Sequence, residues 1–483
     1  MSATWIPTWL TAWTGRPTGG ASFGRMALRA LALVVVTLAA RTGPAEARGF
    51  GITDAPTAQG IRLVHLPLAG ETGQALAFFW RDRHALHSPE TIGLLRLAPR
   101  LLVAGGAGPF DGGALEEEFK DLGASVALRR STAFTLGELH GPAETIGQAA
   151  RLLRLMMMEP RLPPRHLARI KREVISSARA QRETAEPLAA DALVRLLAGD
   201  HPLVAASTME PPSVVDAVSL ADIEAWRKAV LARDNLVVVT AGPLDRAAVA
   251  ALVDETFGGL PATAELRPAL AFQPLRPLRT IAIERAVAQT VIVAGQATGW
   301  NATSEGPARD IAMTVLGRGG ASRLWRAVRE RLGASYGTEA SIGPLTRGHY
   351  RLMMRSSVAT GRTADALAAV RQEFERFLAE GVGPDEVEPV KTRIVTEFAE
   401  AMRRSNAAAN RVRGMLLDGQ GMDDLEAYAD RVGRVSASDV NALIARHLSS
   451  RLVVIVVTPS AAGLGADCVV KSLAEVSSCP AAD

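Results

Sequence analysis

His84, His87 and Glu90, in the stretch RHALHSPE, have the His-x-x-His-x-x-Glu spacing. Two imidazoles and a carboxylate so spaced could share a metal ion if a helix gathered them on one side. Pro89, and a position ahead of the first long amphipathic segment, argue for a loop, in which these side chains simply face water. Of the dispersed histidines, His65 falls in a strand-like run, His140 ends another, and His166 and His447 sit in polar helical contexts, each a structural setting. No nucleophile elbow or paired-carboxylate motif stands out. Gly317, Gly319 and Gly320 form a chain turn, and no lysine follows them to complete a phosphate-binding loop.

Two further stretches place chemically notable side chains on predicted elements. In GLLRLAPRLL, residues 93–102, an apolar helical pattern carries Arg96 and Arg100 one turn apart on the same face, with Pro99 beside them. Guanidinium stays protonated and offers no lone pair to a metal, and proline accepts no proton, so by residue type this segment supports neither metal binding nor general-base chemistry. In GRGGASRLWRAVRERLGASYGTEA, residues 317–340, Ser322 or Ala321 opens a helix whose apolar face includes Leu324, Trp325 and Val328. Gly333 is placed to end it, and Tyr336 emerges on the strand that follows, seven positions after Arg329.

The elements that position these residues occur twice. DLGASVALRRSTAFTLGELHGPAETIGQAARLLRLMM, from Asp121, runs parallel to RLGASYGTEASIGPLTRGHYRLMMRS and its continuation, from Arg331. RLPPRHLARIKREVISSA matches GVGPDEVEPVKTRIVTEFA, with Pro164 and Pro384 each just inside a helix start. Ser219 and Ser436 are candidate N-caps, each followed by a helix and a β-branched strand. In the first copy the patterns predict strands near 60–67, 74–81, 124–129, 133–140 and 235–241. Helices are predicted near 91–104, 112–121, 143–157, 164–183, 187–198 and 219–231. The fold class is α+β: two homologous domains, each an antiparallel-rich sheet covered by helices. The expected division is an N-terminal extension with signal peptide at 1–47, a first domain at 48–260, a linker at 261–279, a second domain at 280–460 and a C-terminal tail at 461–483.

The 483 residues are 48% hydrophobic and 22% charged, the balance of a folded globular chain. Net charge is only +4, lysine is confined to Lys120, Lys171, Lys228, Lys391 and Lys471, and no basic run is interleaved with aromatics, so nucleic acid is excluded as a partner. Residues 26–47 read as a secretory signal: Arg25 and Arg29, the apolar run Ala30–Ala40, then Ala45-Glu46-Ala47 as a cleavage site. The run is too short for a membrane span, so the expected location is periplasmic or secreted, with no stable span after cleavage. Upstream, Trp5, Trp9 and Trp13 fall four apart, which fits either a membrane-surface helix or a true start at Met26. Cys468 and Cys479 either close a short disulfide loop in an oxidising compartment or remain two unpaired tail cysteines.

The segment GLLRLAPRLLVAGGAG resembles the one that carries the inverted zinc motif His-x-x-Glu-His in the insulinase-like M16 metallopeptidases. The segment at 317–340 is close to that family's glycine-rich Ser-Arg-Leu stretch with its following Arg-Glu-x-x-Gly-x-x-Tyr. The family also has two homologous α+β domains per half of a clamshell, so the resemblance covers essentially the whole mature chain. It implies that Arg96 and Arg100 occupy the two histidine positions and Pro99 the glutamate position, a degenerate motif. The distal glutamate ligand would fall around Ser176–Ala178, where no carboxylate stands; Glu173 and Glu183 flank it out of register. No zinc or other cofactor is therefore expected in this chain.

In the family, the arginine and tyrosine corresponding to Arg329 and Tyr336 reach across the closed chamber, bind the substrate backbone beside the zinc and help hold the developing oxyanion. The plainer alternative makes Arg329 a surface charge and Tyr336 a half-buried strand residue. The family's short-chain heterodimers divide these labours: one subunit carries zinc, the other the Arg/Tyr pair. The resemblance thus implies a non-catalytic subunit whose partners are a zinc-bearing homologue and a peptide or unfolded polypeptide. The alternative is a non-enzymatic peptide-binding or scaffold protein of the same fold.

Overall fold

The computed structural model describes residues 49–82, 91–131, 133–204, 213–268, 270–333, 335–346 and 348–479. The signal-like stretch and the His84, His87 and Glu90 trio lie outside the described residues.

The first half contributes β1 (Thr53–Pro56), β2 (Arg62–Pro67), β3 (Gly73–Arg81), the two-residue strands β4 (Gly106–Ala107) and β5 (Phe110–Asp111), β6 (Ser125–Arg130), β7 (Phe134–Pro142) and β8 (Leu236–Gly242). The second contributes β9 (Arg279–Glu284), β10 (Gln289–Thr298), β11 (Ser335–Thr346), β12 (His349–Ala359), β13 (Val453–Thr458) and β14 (Cys468–Val470). They build two six-stranded sheets, ordered β1-β2-β8-β3-β7-β6 and β11-β12-β10-β13-β9-β14. With β1 and β14 set aside, the inner orders β2-β8-β3-β7-β6 and β9-β13-β10-β12-β11 coincide strand for strand. Even the parallel pairs correspond, β2 with β8 and β9 with β13, in sheets otherwise antiparallel except where β14 joins β9.

Sequence pattern follows position. The inner part of β3, QALAFFW, is buried without interruption, as a strand covered on both faces must be. In β12 burial alternates residue by residue, Tyr350, Leu352 and Met354 turning to one core. Gly137 is required where β7 passes the Phe78 ring: a Cβ there would come within 1.8 Å of the ring.

One face of the first sheet carries the helices Ile92–Ala104, Ile146–Met158, Leu220–Val230 and Arg246–Phe257. One face of the second carries Ala302–Gly317, Thr363–Glu380 and Ala437–His447. The opposite faces are covered by exchange. The first half's helix Ala185–Ala198 lies on β10 and β13, and the second half's helix Ser405–Leu417 lies on β3 and β8. Ala408, Ala409 and Val412 pack with Ala75, Ala77 and Val239, while Ala189, Ala192 and Leu193 pack with Val293 and Ile455. Each half therefore completes the other's core.

The predicted elements appear within one helical turn of their expected limits. Pro164 and Pro384 begin their helices, and Ser219 and Ser436 each form a capping box, with Asp222 and Asp439. The stretches expected as linker and tail are more structured than their composition suggests. Phe272 is buried between the rings of His201 (5.1 Å) and His349 (5.3 Å), and β9 starts at Arg279. Beyond residue 460 the chain adds β14 to the second sheet, and a disulfide joins Cys468 to Cys479.

Candidate active-site half

The helix Ile92–Ala104 buries Leu97, Ala98, Leu101 and Leu102 and rests on β6 and on the helix Pro164–Glu183. Its start is fixed by Gly93: a Cβ there would lie 1.8 Å from the Val214 carbonyl oxygen, so only glycine lets the helix Ser213–Asp216 approach. Pro99 is buried inside the helix, Arg96 is half-buried and Arg100 is exposed. Leu128 of β6 faces this helix layer, and alternation puts Arg130 on the same face. Burial pushes the Arg96 guanidinium down to about 9, aided by the charges of Arg130 and Arg100 and opposed by Asp191. Arg130 is pushed down to about 10 by burial and by Arg100. Both remain cations at neutral pH.

On the neighbouring helix, Ser176 and Ser177 are exposed and Ala178 is buried. Glu173 is paired with Arg169 at 2.6 Å, and Glu183 with Arg285 at 2.9 Å. Arginines and a proline at the motif positions, with hydroxyls in place of a third ligand, do not fit zinc. Among the described residues no group of three His, Cys, Asp or Glu side chains could hold a metal. Three of the histidines have structural partners: His65 Nδ1 with Thr240 Oγ1 (3.0 Å), His166 Nδ1 with the Ala104 carbonyl (2.9 Å), His447 Nε2 with Glu305 (2.9 Å).

Arg329 and Tyr336 come together. The helix that opens at Arg323 widens into a π-turn over Arg326–Glu330, closed by the Arg331 amide on the Arg326 carbonyl at 3.0 Å. Arg329 lies over the Trp325 ring, 4.7 Å from its centroid, and its Nη1 donates to the Tyr336 carbonyl at 3.2 Å. Gly333, at φ +59°, turns the chain between them. Tyr336 is the extra residue of a β-bulge. Ser335 pairs with Val358 and Gly337 with the very next partner, Ser357, so Tyr336 has no partner across the ladder. Its side chain is 67% exposed, not half-buried, at the start of the sheet's outermost strand.

The arginine of the Ser-Arg-Leu stretch and carboxylates that no motif announced hold this turn. Arg323 makes a two-pronged pair with Glu386 (2.7 and 2.5 Å) and donates to the Gly381 carbonyl (2.7 Å). Arg331 reaches buried Glu373 at 2.9 Å. The π-turn is thus pinned at both ends by carboxylates on the helices Thr363–Glu380 and Pro384–Ala401. Arg130, Asp191 and Arg351 were likewise silent in the sequence. A cavity of about 630 Å³ opens elsewhere, between Phe134, Trp300, Tyr350 and Asp418, and includes none of the motif residues.

Two sheets of matching strand order, each covered by a helix from the other half, define a duplicated α+β fold. Residues 217–394 match the family model described as the peptidase M16 inactive domain. The chain is similar to an uncharacterized zinc protease of Mycobacterium bovis, 24% identical over 293 residues, 58% of this chain and 65% of that one. An uncharacterized zinc protease of Mycobacterium leprae is 24% identical over 303 residues, 60% of this chain and 66% of that one. The match spans less than two thirds of either relative. Among solved structures, a peptidase M16 inactive domain from Pseudomonas fluorescens superposes with a TM-score of 0.77 at 22% identity, covering 85% of this chain and 99% of that one. The periplasmic protease PqqL from Escherichia coli gives 0.72 at 13% identity, covering 85% of this chain and 45% of that one. At these identities the likeness is one of fold.

Proposed function

We propose that this chain is the zinc-less subunit of an exported M16-type peptidase pair, and that it lends Arg329 and Tyr336 to a site whose zinc is held by a homologous partner. The observation that carries the reading is the bulge at Tyr336. The chain spends a ladder position and a pinned π-turn to present one exposed phenol beside one guanidinium, a costly device for a scaffold surface. That the fold equals 45% of the PqqL chain supports the need for a second half.

In the pair, zinc in the partner supplies the activation of water. The residues of this chain bind and orient. The Tyr336 hydroxyl donates to the carbonyl oxygen as negative charge develops on it, and the Arg329 fork, held by Trp325 and the Tyr336 carbonyl, fixes the substrate backbone. Closure over the peptide excludes bulk water from those hydrogen bonds.

The test is affinity capture of the tagged mature chain from its native envelope, with co-purifying proteins identified by mass spectrometry. A stoichiometric partner bearing His-x-x-Glu-His supports the pair. In the reconstituted complex, Tyr336→Phe and Arg329→Ala are expected to lower kcat by about 10²-fold or more while leaving the thermal midpoint unchanged. Recovery of the chain alone, or only with itself, overturns the reading in favour of a non-enzymatic binding protein.

A further inference from the structure

The turn that presents Arg329 and Tyr336 borders a cavity rich in arginine. Arg323, Arg326 and Arg331 of the turn, Glu373 and Arg376 of the helix Thr363–Glu380, and Glu386 of the helix Pro384–Ala401 line about 340 Å³ of space. Each carboxylate there already has its cation. Arg323 holds Glu386 with two prongs, at 2.7 and 2.5 Å, and Arg331 and Arg376 share one oxygen of Glu373, at 2.9 and 3.5 Å. Arg376 also takes Glu380, at 3.1 Å. Arg326 is the cation left over. The Glu386 oxygen that faces it lies 3.6 Å away, too far for a hydrogen bond, and is already engaged by Arg323. Four guanidiniums therefore stand against three carboxylates, and the forks carry more N–H groups than those carboxylates take up. Arg323 is the buried member, 9% exposed, and its Nη1 has no hydrogen-bond partner. A buried guanidinium with an idle nitrogen, beside a cavity and a weakly paired neighbour, is an arrangement that an anion completes.

We propose that this cavity binds a small oxyanion of the phosphate class. Guanidinium forks arriving from the turn and from the helix Thr363–Glu380 can meet the several oxygens of a tetrahedral anion, where a single carboxylate would occupy one fork. Glu373 and Glu386 limit the charge. They leave a surplus of one cation, which suits a single phosphate group and repels a polyanion. The phosphate is either the free ion or the head of a small ester, held by the same donors.

Position gives the site a consequence. Arg326 and Arg331 are the two ends of the π-turn, which the Arg331 amide closes on the Arg326 carbonyl at 3.0 Å, and between them Arg329 lies over the Trp325 ring. An anion gripped by both end arginines staples the turn. Its effect on substrate rests on the reading of Arg329 and Tyr336 as substrate contacts; the anion site itself does not.

The experiment titrates the purified mature chain, without a partner, with inorganic phosphate, phenyl phosphate and acetate at constant ionic strength set by chloride. Trp325 is the reporter, as the one part-exposed tryptophan among the described residues; Trp80, Trp226 and Trp300 are buried. Phosphate is expected to change the fluorescence saturably at sub-millimolar concentration and to raise the thermal midpoint. Arg326→Gln, on an exposed side chain, should weaken binding about tenfold or more while leaving the midpoint without phosphate where it is. Trp325→Phe should abolish the fluorescence change and keep the thermal shift. Phenyl phosphate binding as well as the free ion makes an ester the ligand; phosphate binding alone makes it the free ion. A response that does not saturate, that acetate matches, or that Arg326→Gln leaves unchanged overturns the site. In the reconstituted pair, phosphate should lower KM about threefold for the unmodified chain and not for Arg326→Gln. A KM unmoved by phosphate overturns the staple, whereas a kcat unmoved by Tyr336→Phe overturns the pairing.

Discussion

Arg413 joins the halves through Glu138: from the exchanged helix Ser405–Leu417 its guanidinium donates to the Glu138 carboxylate at 2.8 Å and to the Gly137 carbonyl at 2.9 Å on β7. The two side chains are only 10% and 24% exposed. Removing one member strands the other at a dry seam, so Arg413→Ala is expected to cost about 2–4 kcal/mol in chemical denaturation. The exposed pair Lys120–Glu116 is the control, and Lys120→Ala should leave the midpoint where it is. Equal behaviour of the two variants would show that the exchanged helix is held by its apolar face alone.

Gly93→Ala addresses the helix that carries Arg96, Pro99 and Arg100. The new methyl would meet the Val214 carbonyl oxygen at 1.8 Å, a backbone atom that cannot swing aside. Displacing either helix costs more than about 2 kcal/mol, because the same interface buries Leu94, Val215 and Val218. Gly147, with nothing within 4 Å of its would-be Cβ, is the matched control, and Gly147→Ala is expected to be neutral or stabilising. A thermal shift of the same sign and size in both would contradict the close approach.

Much of this was legible before any coordinates, and the reason lies in what each feature depends on. The strand and helix limits, the proline starts and the Ser219 and Ser436 caps are set by local chemistry within a few residues, and duplication let one half check the other. The exchange of the helices Ala185–Ala198 and Ser405–Leu417 was not legible. Their apolar faces announce burial but not which sheet they cover. Arg329 and Tyr336 could be named from the resemblance of their segment to that of the M16 peptidases, yet the bulge that turns Tyr336 outward depends on the register of β11 against β12, which no local pattern encodes. Glu373 and Glu386 lie more than forty residues from their arginines, and in the sequence they look like ordinary charges on amphipathic helices.

The clamp on the π-turn makes a pH prediction. Hydrogen bonds from Arg323 hold the Glu386 carboxyl below its ordinary 4.5, against the opposing push of burial. Because the folded value is depressed, the stability that Glu386 contributes is fully present above 4.5 and is lost as pH falls through the folded value. The thermal midpoint of Glu386→Gln should therefore lie below that of the unmodified chain by a constant gap from pH 8 down to about 5, and the gap should close in more acidic solution. A gap that stays constant into strong acid would mean that Glu386 acts by shape and not by charge.

Restoring the motif should not restore the metal. Arg96→His, Pro99→Glu and Arg100→His together would return two imidazoles to one face of the helix Ile92–Ala104, with a carboxylate between them. The third ligand would have to come from the helix Pro164–Glu183, which packs alongside, and there Ser176 and Ser177 offer only hydroxyls while Glu173 is engaged with Arg169. Arg130, left in place, would repel a dication arriving at the same face. The triple variant is expected to bind zinc well below one equivalent when measured by elemental analysis after dialysis. Adding Ser177→Glu and Arg130→Ala should raise occupancy, since these changes supply the missing carboxylate and remove the competing charge. Full zinc occupancy in the triple variant alone would mean that the three side chains at 96, 99 and 100 suffice for a site on this backbone, without a carboxylate from the helix Pro164–Glu183.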